Sequence, residues 1–435
     1  MNSAQDLIQQ IQQLIEKAYA ATEPGCAVIV VRDGEVLLRT GRGMASFELG
    51  VPIEPDMVFR IASITKQFTA VSILMLTEQG KLTLDDPITR FFPDYPTQGH
   101  HITVRHLLNH TSGIKSYTNM PEWFPRVRQD FSVTEIIDFF KEQPMEFAPG
   151  EKMSYCNSGY ILLGAIIEQV SEQSYADFLQ QHIFTPLGMS QSGYDEAEAV
   201  IPKRVAGYVP DGDGYKNAPY LSMTQPFAAG ALISTVDDLA RWDAALYTEQ
   251  LLSQETLQQA FVKTELKDGS LSDYGLGWQL SSYKGHPIAE HSGGIPGFTS
   301  YGLRLPDDRV YVAVLSNSMR HGAAELAARI AALVIGEPLI DPTPIELEPS
   351  AWQPFVGSYQ AESGEVWRVA EENGRLIIQL GQSPPAELIP FTPNAFFAKD
   401  MPILHFHFED NGATINLHYR TELDNSARRI EEESV

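Results

Sequence analysis

Two groups of short β-rich segments, separated by a long helix-rich stretch, most constrain how the first 335 residues can fold. The first group is the apolar run Cys26–Val31, which the dipeptide Asp33-Gly34 joins to Glu35–Leu38 as a hairpin. The second group contains Gly277–Ser282, Tyr301–Leu305 and Val310–Leu315. Because strands stand at both ends of the helical stretch, the sequence predicts an α+β fold in which helices cover an antiparallel sheet.

Helical spacing of apolar residues marks the principal helices. A largely apolar segment from Thr65 to Gln79, followed by Gly80, predicts a buried helix. A second helix is predicted from Ser158, a suitable N-cap residue, through Gln169, and a third from about Ala323 to Ile335. The first fifteen residues carry one apolar helix face and predict an N-terminal helix.

A proline-rich stretch divides the chain. Prolines at positions 338, 342, 344 and 349 predict a semi-rigid linker over residues 336–349. Beyond it, short alternating segments separated by Gly, Pro and Asn predict a small antiparallel β-barrel over residues 350–435. We therefore expect a first domain over residues 1–335, the linker, and the barrel domain.

Composition excludes several classes of partner. The formal net charge of −25 leaves no basic surface for nucleic acid. Two cysteines, Cys26 and Cys156, are too few for a four-ligand zinc site, and we predict neither a metal nor a cofactor. No apolar run is long enough to span a bilayer. The N-terminus lacks the features of a signal peptide, which favours a cytoplasmic protein, whereas a processed chain would be periplasmic or secreted.

The pattern Ser-x-x-Lys occurs three times, and context selects one copy. The copy at Ser112 falls in a Gly-containing loop, and the copy at Ser281 falls in a predicted strand, where residues three apart face opposite sides. Ser63 instead opens the predicted buried helix, so Lys66 shares its face and can reach its hydroxyl. A buried lysine can act as a base that activates a serine. The alternative is that Ser63 only caps the helix.

Two further motifs could complete a site. Tyr-x-Asn occurs three times, but only Tyr155 to Asn157 directly precedes a predicted helix. A tyrosine held near Lys66 could move a proton, and an asparagine amide could bind a substrate carbonyl. His291-Ser292-Gly293-Gly294 precedes the late strands, and its glycines would let a substrate approach free backbone N–H groups. A structural tyrosine and an ordinary turn are the alternatives.

Together these ordered motifs resemble the serine β-lactamase and penicillin-binding-protein superfamily, nearest to its branch of class C β-lactamases, DD-peptidases and family VIII esterases. The likeness covers about residues 20–335. It extends to segments that resemble the framework of that group: Leu107–Gly113, Pro186–Met189, Gly230–Thr235 and Tyr274–Trp278. The resemblance implies a β-lactamase/transpeptidase-like fold with an all-helical subdomain, and it implies that residues 1–335 are a serine hydrolase domain.

The resemblance also implies residue roles. Ser63 would be the nucleophile, and Lys66 and Tyr155 would transfer protons, with the acylation base left open between them. The backbone N–H groups of Ser63 and Gly294 would form the oxyanion hole. The substrate-binding residues would be Asn157, His291, Gly293 and Gly294.

One departure bears on the substrate. The β-lactamases usually have lysine where this chain has His291, and histidine is largely neutral at pH 7, so attraction for a substrate carboxylate should be weaker and pH-dependent. We therefore expect a hydrolase of amide or ester bonds in small peptides or acyl compounds, of the D-amino-acid peptidase or esterase type. The alternatives are a class C-like β-lactamase and a penicillin-binding sensor that does not turn over.

The C-terminal segment resembles the lipocalin-like domain appended to some members of this group. Two roles are open for it. It could stabilise a homo-oligomer, or it could overhang the active site and limit the size of the substrate.

Overall fold

The structure is a computed structural model that describes residues 4–320, 322–361, 364–381, 383–420 and 422–430. Its α-helices are α1 (Ala4–Ala18), α2 (Thr65–Glu78), α3 (Val104–Leu108), α4 (Val133–Phe140), α5 (Asn157–Ser171), α6 (Tyr175–Leu179), α7 (Thr185–Leu187), α8 (Phe227–Gly230), α9 (Val236–Ala245), α10 (Gln254–Gln258), α11 (Ala323–Val334) and α12 (Pro349–Trp352). None of these helices has the length and the apolar character that crossing a membrane requires.

The strands fall into an earlier and a later set. The earlier strands are β1 (Cys26–Arg32), β2 (Glu35–Arg42), β3 (Met44–Ser46), β4 (Val51–Pro52), β5 (Phe59–Arg60), β6 (Gly193–Tyr194), β7 (Tyr208–Asp211), β8 (Gly214–Asn217), β9 (Leu232–Ser234), β10 (Thr264–Glu265), β11 (Leu271–Ser272), β12 (Gln279–Tyr283), β13 (His286–Ile295), β14 (Phe298–Leu305) and β15 (Val310–Ser316). The later strands are β16 (Gly357–Ala361), β17 (Val366–Glu372), β18 (Arg375–Leu380), β19 (Ala386–Thr392), β20 (Ala395–Ala398), β21 (Met401–Glu409), β22 (Thr414–Tyr419) and β23 (Glu422–Ile430).

The described residues form two compact units, which are Met1–Ser281 with Pro287–Ile335, and Ser282–His286 with Gly336–Val435. The main sheet has the strand order β12-β13-β14-β15-β1-β2. Its pairs β13–β14, β14–β15, β15–β1 and β1–β2 are antiparallel. Every residue of β15 is buried, so helices cover both of its faces: α11 packs on β14 and β15, and α9 packs on β1 and β15. The predicted fold class is confirmed.

The first unit also contains a group of helices that surrounds α5. All residues of α2 from Thr65 to Leu76 are buried, the polar ones included. α5 packs against α2, α3, α4, α6 and α8. The contact between α5 and α8 is close, because a Cβ atom at Gly164 would lie 2.4 Å from the ring of Phe227 and 2.5 Å from the Cβ of Ala228.

The later strands close into an eight-stranded barrel in the order β16 to β23, with antiparallel neighbours. Aromatic and aliphatic side chains fill the interior, among them Tyr359, Trp367, Phe396, Phe406 and Phe408. Positions that point into the barrel are apolar, and the positions between them face outward. This explains the alternation seen in the sequence. The alternating segments of the sequence predicted β16, β17, β18, β21 and β22, whereas β19, β20 and β23 were not predicted.

One predicted region folds differently. The sequence placed His291 just before the late strands, with an ordinary turn as the alternative to a site motif, whereas the structure places it inside β13, a ten-residue strand. Glycine, serine, histidine and glutamate in this segment hide the apolar alternation on which strand prediction depends. The strand is an interior member of the sheet, and this position sets the direction of the His291 side chain.

We predict that Gly164→Ala destabilises the first unit, because the added methyl group overlaps Phe227 and Ala228. The expected loss in the free energy of unfolding is about 1–3 kcal/mol, measured by urea denaturation. Gly193→Ala is the matched control, since a Cβ atom there meets no atom within 4 Å. Equal stability of the two variants would contradict the close packing of α5 on α8.

Candidate active site

Ser63 lies in a single 3₁₀ turn, Ala62–Ile64, between β5 and α2. Its side chain is half-buried, so it is accessible from the surface. Ala62, directly before it, has φ = +47°, a left-handed conformation that is strained for a residue with a Cβ atom. The carbonyl of Ile61 accepts a 2.7 Å hydrogen bond from the Ser300 hydroxyl on β14, which fixes the turn to the sheet.

Strand β13 approaches this turn closely, and Gly293 permits the approach. A Cβ atom at Gly293 would lie 2.3 Å from the Ile61 carbonyl oxygen and 2.2 Å from the Ser300 hydroxyl oxygen. Gly294 differs, because a Cβ atom there would meet nothing within 4 Å. Gly293 therefore brings the strand against the turn that carries Ser63, and Gly294 faces the open cleft.

Lys66 is fully buried on the first turn of α2. Its Nζ atom lies 3.1 Å from Ser63 Oγ, 2.8 Å from Asn157 Oδ1 and 2.8 Å from the carbonyl oxygen of Ala229. Burial holds the pKa of Lys66 well below its usual value.

These contacts suit a neutral lysine. An uncharged amine has two N–H donors and one lone pair. The Ala229 carbonyl can only accept, and Asn157 Oδ1 accepts as well, so these two oxygens take both N–H groups. The lone pair is then left for the third neighbour, the Ser63 hydroxyl. The site can thus draw a proton from Ser63 without disturbing the other two hydrogen bonds of Lys66.

Asn157, the first residue of α5, is held by hydrogen bonds from its side chain and from its backbone. Its Nδ2 donates to Thr118 Oγ1 at 3.0 Å, and its backbone N–H donates to Ser116 Oγ at 3.1 Å. The two hydroxyls lie 3.0 Å apart. This closed set of hydrogen bonds orients Oδ1 toward Lys66, so the principal contact of Asn157 is to the lysine.

Tyr155 borders the same space. Its ring centroid lies 4.7 Å from Lys66 Nζ. Loss of hydration around the phenolate raises the pKa of Tyr155, and a hydrogen bond with Ser63 lowers it by less. Tyr155 is also 38% exposed, so its hydroxyl can be reached from the cleft. A protonated phenol beside a neutral amine can act as a proton donor.

His291 is held as a neutral ring. Its Nδ1 lies 2.6 Å from the carbonyl oxygen of Ser292, which can only accept, so Nδ1 carries the hydrogen. Its Nε2 lies 2.8 Å from the hydroxyl of Tyr274, which can then donate to it. Burial lowers the pKa of His291 to about 3. The pH dependence near neutrality that the sequence suggested for this residue is therefore not expected.

Sequence reasoning missed four residues that build the site: His110, Thr118, Ala229 and Tyr274. His110 is buried, with its ring 4.4 Å from that of Tyr155 and 4.6 Å from that of Tyr274. Its Nδ1 accepts a 3.0 Å hydrogen bond from the backbone N–H of Cys156, which fixes the segment that carries Tyr155. Ala229 acts through its backbone, so its side-chain type gave no signal. His110 and Tyr274 lie in framework segments that resemble those of the superfamily, but the resemblance gave these two residues no role.

The other copies of the motifs make local contacts. Ser281 donates to Glu290 at 2.9 Å, and Ser112 Oγ accepts from the backbone N–H of Ile114 at 3.3 Å. Tyr117 donates to the Gln225 carbonyl at 2.9 Å, and Tyr215 donates to Glu23 at 2.9 Å. Among the described residues, no group of three or more His, Cys, Asp or Glu side chains could hold a metal ion.

The cleft has two lobes that share only Ser63 and Gly294 among their lining residues. The smaller lobe has a volume of about 110 Å³, and its wall includes Trp123, Leu221, Pro226, Asn157 and Ile295. The larger lobe has a volume of about 410 Å³, and its wall includes Met153, Tyr155, Asp273, Gln279 and His291. A bond attacked by Ser63 would thus have one lobe on each side.

A protein-family model described as Beta-lactamase matches residues 6–335. The chain belongs to the Beta-lactamase family. Penicillin-binding protein 4* of Bacillus subtilis (strain 168) is similar over 421 residues, at 31% identity, covering 90% of this chain and 92% of that protein.

Solved structures of this family are similar as well. The octameric penicillin-binding protein homologue from Pyrococcus abyssi superimposes with a TM-score of 0.69 at 26% identity, covering 98% of this chain and 100% of that one. D-amino acid amidase from Ochrobactrum anthropi SV3 superimposes with a TM-score of 0.67 at 29% identity, covering 76% of this chain and 99% of that one. The superfamily resemblance inferred from the sequence is confirmed.

The buried histidines predict how stability depends on pH. Burial lowers the pKa of His110 well below its usual value and that of His291 to about 3. Below about pH 6.5 the unfolded chain therefore binds protons that the folded chain excludes, so the free energy of unfolding falls as the pH falls. Each such histidine contributes about 1.4 kcal/mol per pH unit until its folded pKa is reached.

This slope can be measured by urea denaturation at pH 6.5 and pH 4.5. His291→Gln removes one of these groups, so its loss of stability between the two pH values should be smaller than that of wild type by about 2–3 kcal/mol. His101→Gln, at an exposed position, should behave as wild type does. An unchanged slope in His291→Gln would show that His291 is not kept neutral by burial.

Proposed function

We propose that the protein hydrolyses amide or ester bonds of small peptides or acyl compounds through an acyl intermediate on Ser63. The observation that carries the proposal is the position of Lys66 Nζ, 3.1 Å from Ser63 Oγ and 2.8 Å from each of two oxygen acceptors. A serine becomes a nucleophile when an adjacent base can take its proton. Membership of the Beta-lactamase family supports serine hydrolase chemistry.

In the acylation step, Ser63 Oγ forms a bond to the substrate carbonyl carbon while its proton moves to the lone pair of Lys66 Nζ. The backbone N–H groups of Ser63 and Gly294 would stabilise the resulting oxyanion. When the tetrahedral intermediate collapses, the bond to the leaving group breaks, and the Tyr155 hydroxyl supplies a proton to the departing nitrogen or oxygen. The proton held by Lys66 then restores Tyr155.

Deacylation follows the same path in reverse, with water in place of the leaving group. Water gives a proton to the pair of Lys66 and Tyr155 and its oxygen bonds to the acyl carbon, and Ser63 Oγ recovers a proton as the acid departs. The raised pKa of Tyr155 and the lowered pKa of Lys66 both favour the neutral pair that this cycle begins from.

We propose a D-amino-acid peptidase, amidase or esterase in preference to a β-lactamase. The D-amino acid amidase relative supports the amide specificity. The neutral state of His291 supports it too, because a neutral ring offers no charge to the carboxylate that β-lactams carry. Turnover of nitrocefin faster than that of amides and esters would favour the β-lactamase instead.

We also propose that residues 1–335 are the hydrolase domain, 336–349 the linker and 350–435 a domain that supports self-association. The relative from Pyrococcus abyssi is octameric and is similar along 98% of this chain, which supports a homo-oligomer.

One test of this proposal concerns the nucleophile. A fluorophosphonate probe should add once to the wild-type protein and not at all to Ser63→Ala, as measured by intact mass. Ser281→Ala is the matched control, because Ser281 also stands three residues before a lysine, and it should be labelled like wild type. An adduct on Ser63→Ala, or its loss from Ser281→Ala, would disprove the assignment.

Another test of this proposal concerns the base. In Asn157→Asp a carboxylate replaces the amide oxygen 2.8 Å from Lys66 Nζ, which stabilises the ammonium form and raises the pKa of Lys66. Since the neutral amine is the active form, the acidic limb of the kcat/KM profile should move to higher pH by about one unit or more. Thr118→Val, which removes the other side-chain hydrogen bond of Asn157 without adding charge, is the control.

Thr118→Val should lower kcat and leave the acidic limb in place. If Asn157→Asp leaves the acidic limb in place or moves it to lower pH, Lys66 is not the base of the acylation step.

A further inference from the structure

We propose that the larger lobe of the cleft receives the leaving group, and that it accepts leaving groups that are neutral or cationic and discriminates against a free carboxylate. The inference rests on the proposed acyl-Ser63 mechanism and extends it to the charge of the substrate. It depends on how residues are divided between the two lobes and on which charges line them.

The first step assigns the lobes. Because the lobes share only Ser63 and Gly294, the reacting carbonyl lies between them, with the acyl part in one lobe and the leaving group in the other. Tyr155 lines only the larger lobe. The group that supplies the proton must lie beside the departing atom, so the leaving group occupies the larger lobe.

The composition of the smaller lobe agrees with this assignment. Trp123 and Tyr117 give their polar hydrogens to Gln225, the first to its side-chain oxygen at 2.6 Å and the second to its carbonyl at 2.9 Å. Their rings therefore present apolar surface to the lobe, together with Leu221, Pro226 and Ile295. An apolar lobe of about 110 Å³ suits a compact acyl group.

The second step concerns charge. Among the residues that line the larger lobe, the charged one is Asp273, and none is lysine or arginine. Lys263 forms an ion pair with Asp273 but does not line the lobe. The side chain of Asp273 is 59% exposed, so the pair is hydrated and leaves the lobe neutral to weakly negative.

The remaining polar groups add no positive charge. His291 donates to a backbone carbonyl and accepts from Tyr274, which uses both ring nitrogens of a neutral imidazole. Lys66 is enclosed by its three oxygen neighbours and lines neither lobe. A carboxylate entering the larger lobe would lose part of its hydration without gaining a cationic partner, which is unfavourable. The net charge of −25 also repels a carboxylate at longer range.

The experiment compares three acetate esters with leaving groups of similar size: 3-hydroxybenzoate, 3-hydroxybenzamide and 3-(aminomethyl)phenol. Each kcat/KM is divided by the rate of alkaline hydrolysis of the same ester, which removes differences in intrinsic reactivity. We expect the neutral ester to exceed the anionic one by about 10-fold, and the cationic ester to equal or exceed the neutral one. Equal values for the anionic and neutral esters, or preference for the anion, would overturn the proposal.

A pair of variants tests the origin of the discrimination. Gln279→Lys places a cation on the exposed wall of the larger lobe and should raise the ratio of anionic to neutral kcat/KM by about 5-fold. Gln9→Lys makes the same charge change on α1, which does not line the cleft, and should leave the ratio unchanged. Asp273→Asn provides a second test by removing the negative charge, and the ratio should again rise. An unchanged ratio in both lobe variants would overturn the proposal.

Failure of the proposed function would look different. In that case none of the three esters would be turned over in a manner that depends on Ser63, and the fluorophosphonate would not label it. Ser63-dependent turnover that favours the anionic ester would overturn only the assignment of the lobe.

Discussion

The burial of Lys66 is the constraint on which the site depends. An amine without exposure to water must have its donors satisfied by the protein, and here the partners come from three separate elements: the turn before α2, the start of α5, and α8. Each partner must be held within hydrogen-bonding distance, so the packing of these elements is also a requirement of the chemistry. Loss of hydration around Nζ then lowers the pKa of Lys66, which favours the uncharged amine that the proposed mechanism requires.

Backbone geometry supplies much of this arrangement. The Ala229 carbonyl that binds Lys66 belongs to a one-turn helix that begins at Phe227, whose φ of +39° is unusual for an aromatic residue. Ala62, the residue directly before Ser63, is strained as well. Both strained residues flank the proposed nucleophile and its base, and the packing of α5 on α8 and of β13 on the turn holds them there. Strain near a reactive group is retained when the surrounding structure determines it.

Helical spacing and polar context were sufficient to predict α2 and the pairing of Ser63 with Lys66, since a three-residue offset brings the two side chains to one face. Ser63 itself lies in the 3₁₀ turn directly before α2 and not in the helix. The Tyr-x-Asn pattern before a predicted helix selected Tyr155 and Asn157, and the resemblance assigned their roles. The structure places both beside Lys66. Other features could not be predicted. The Ala229 carbonyl is a backbone group, Thr118 acts through Asn157, and β13 lacks a regular apolar alternation. Their positions depend on tertiary contacts, which local sequence patterns do not reveal.

The neutral state of His291 shows how distant packing sets the electrostatics of the cleft. An interior strand position buries the ring, the Ser292 carbonyl fixes its tautomer, and Tyr274 occupies its second nitrogen. A lysine in the same place would need a counter-charge or exposure to water, and neither Tyr274 nor the backbone carbonyl supplies one. The replacement of a cation by histidine is therefore coupled to its surroundings. The fold can retain the proposed base, nucleophile and proton donor while the charge presented to the substrate changes.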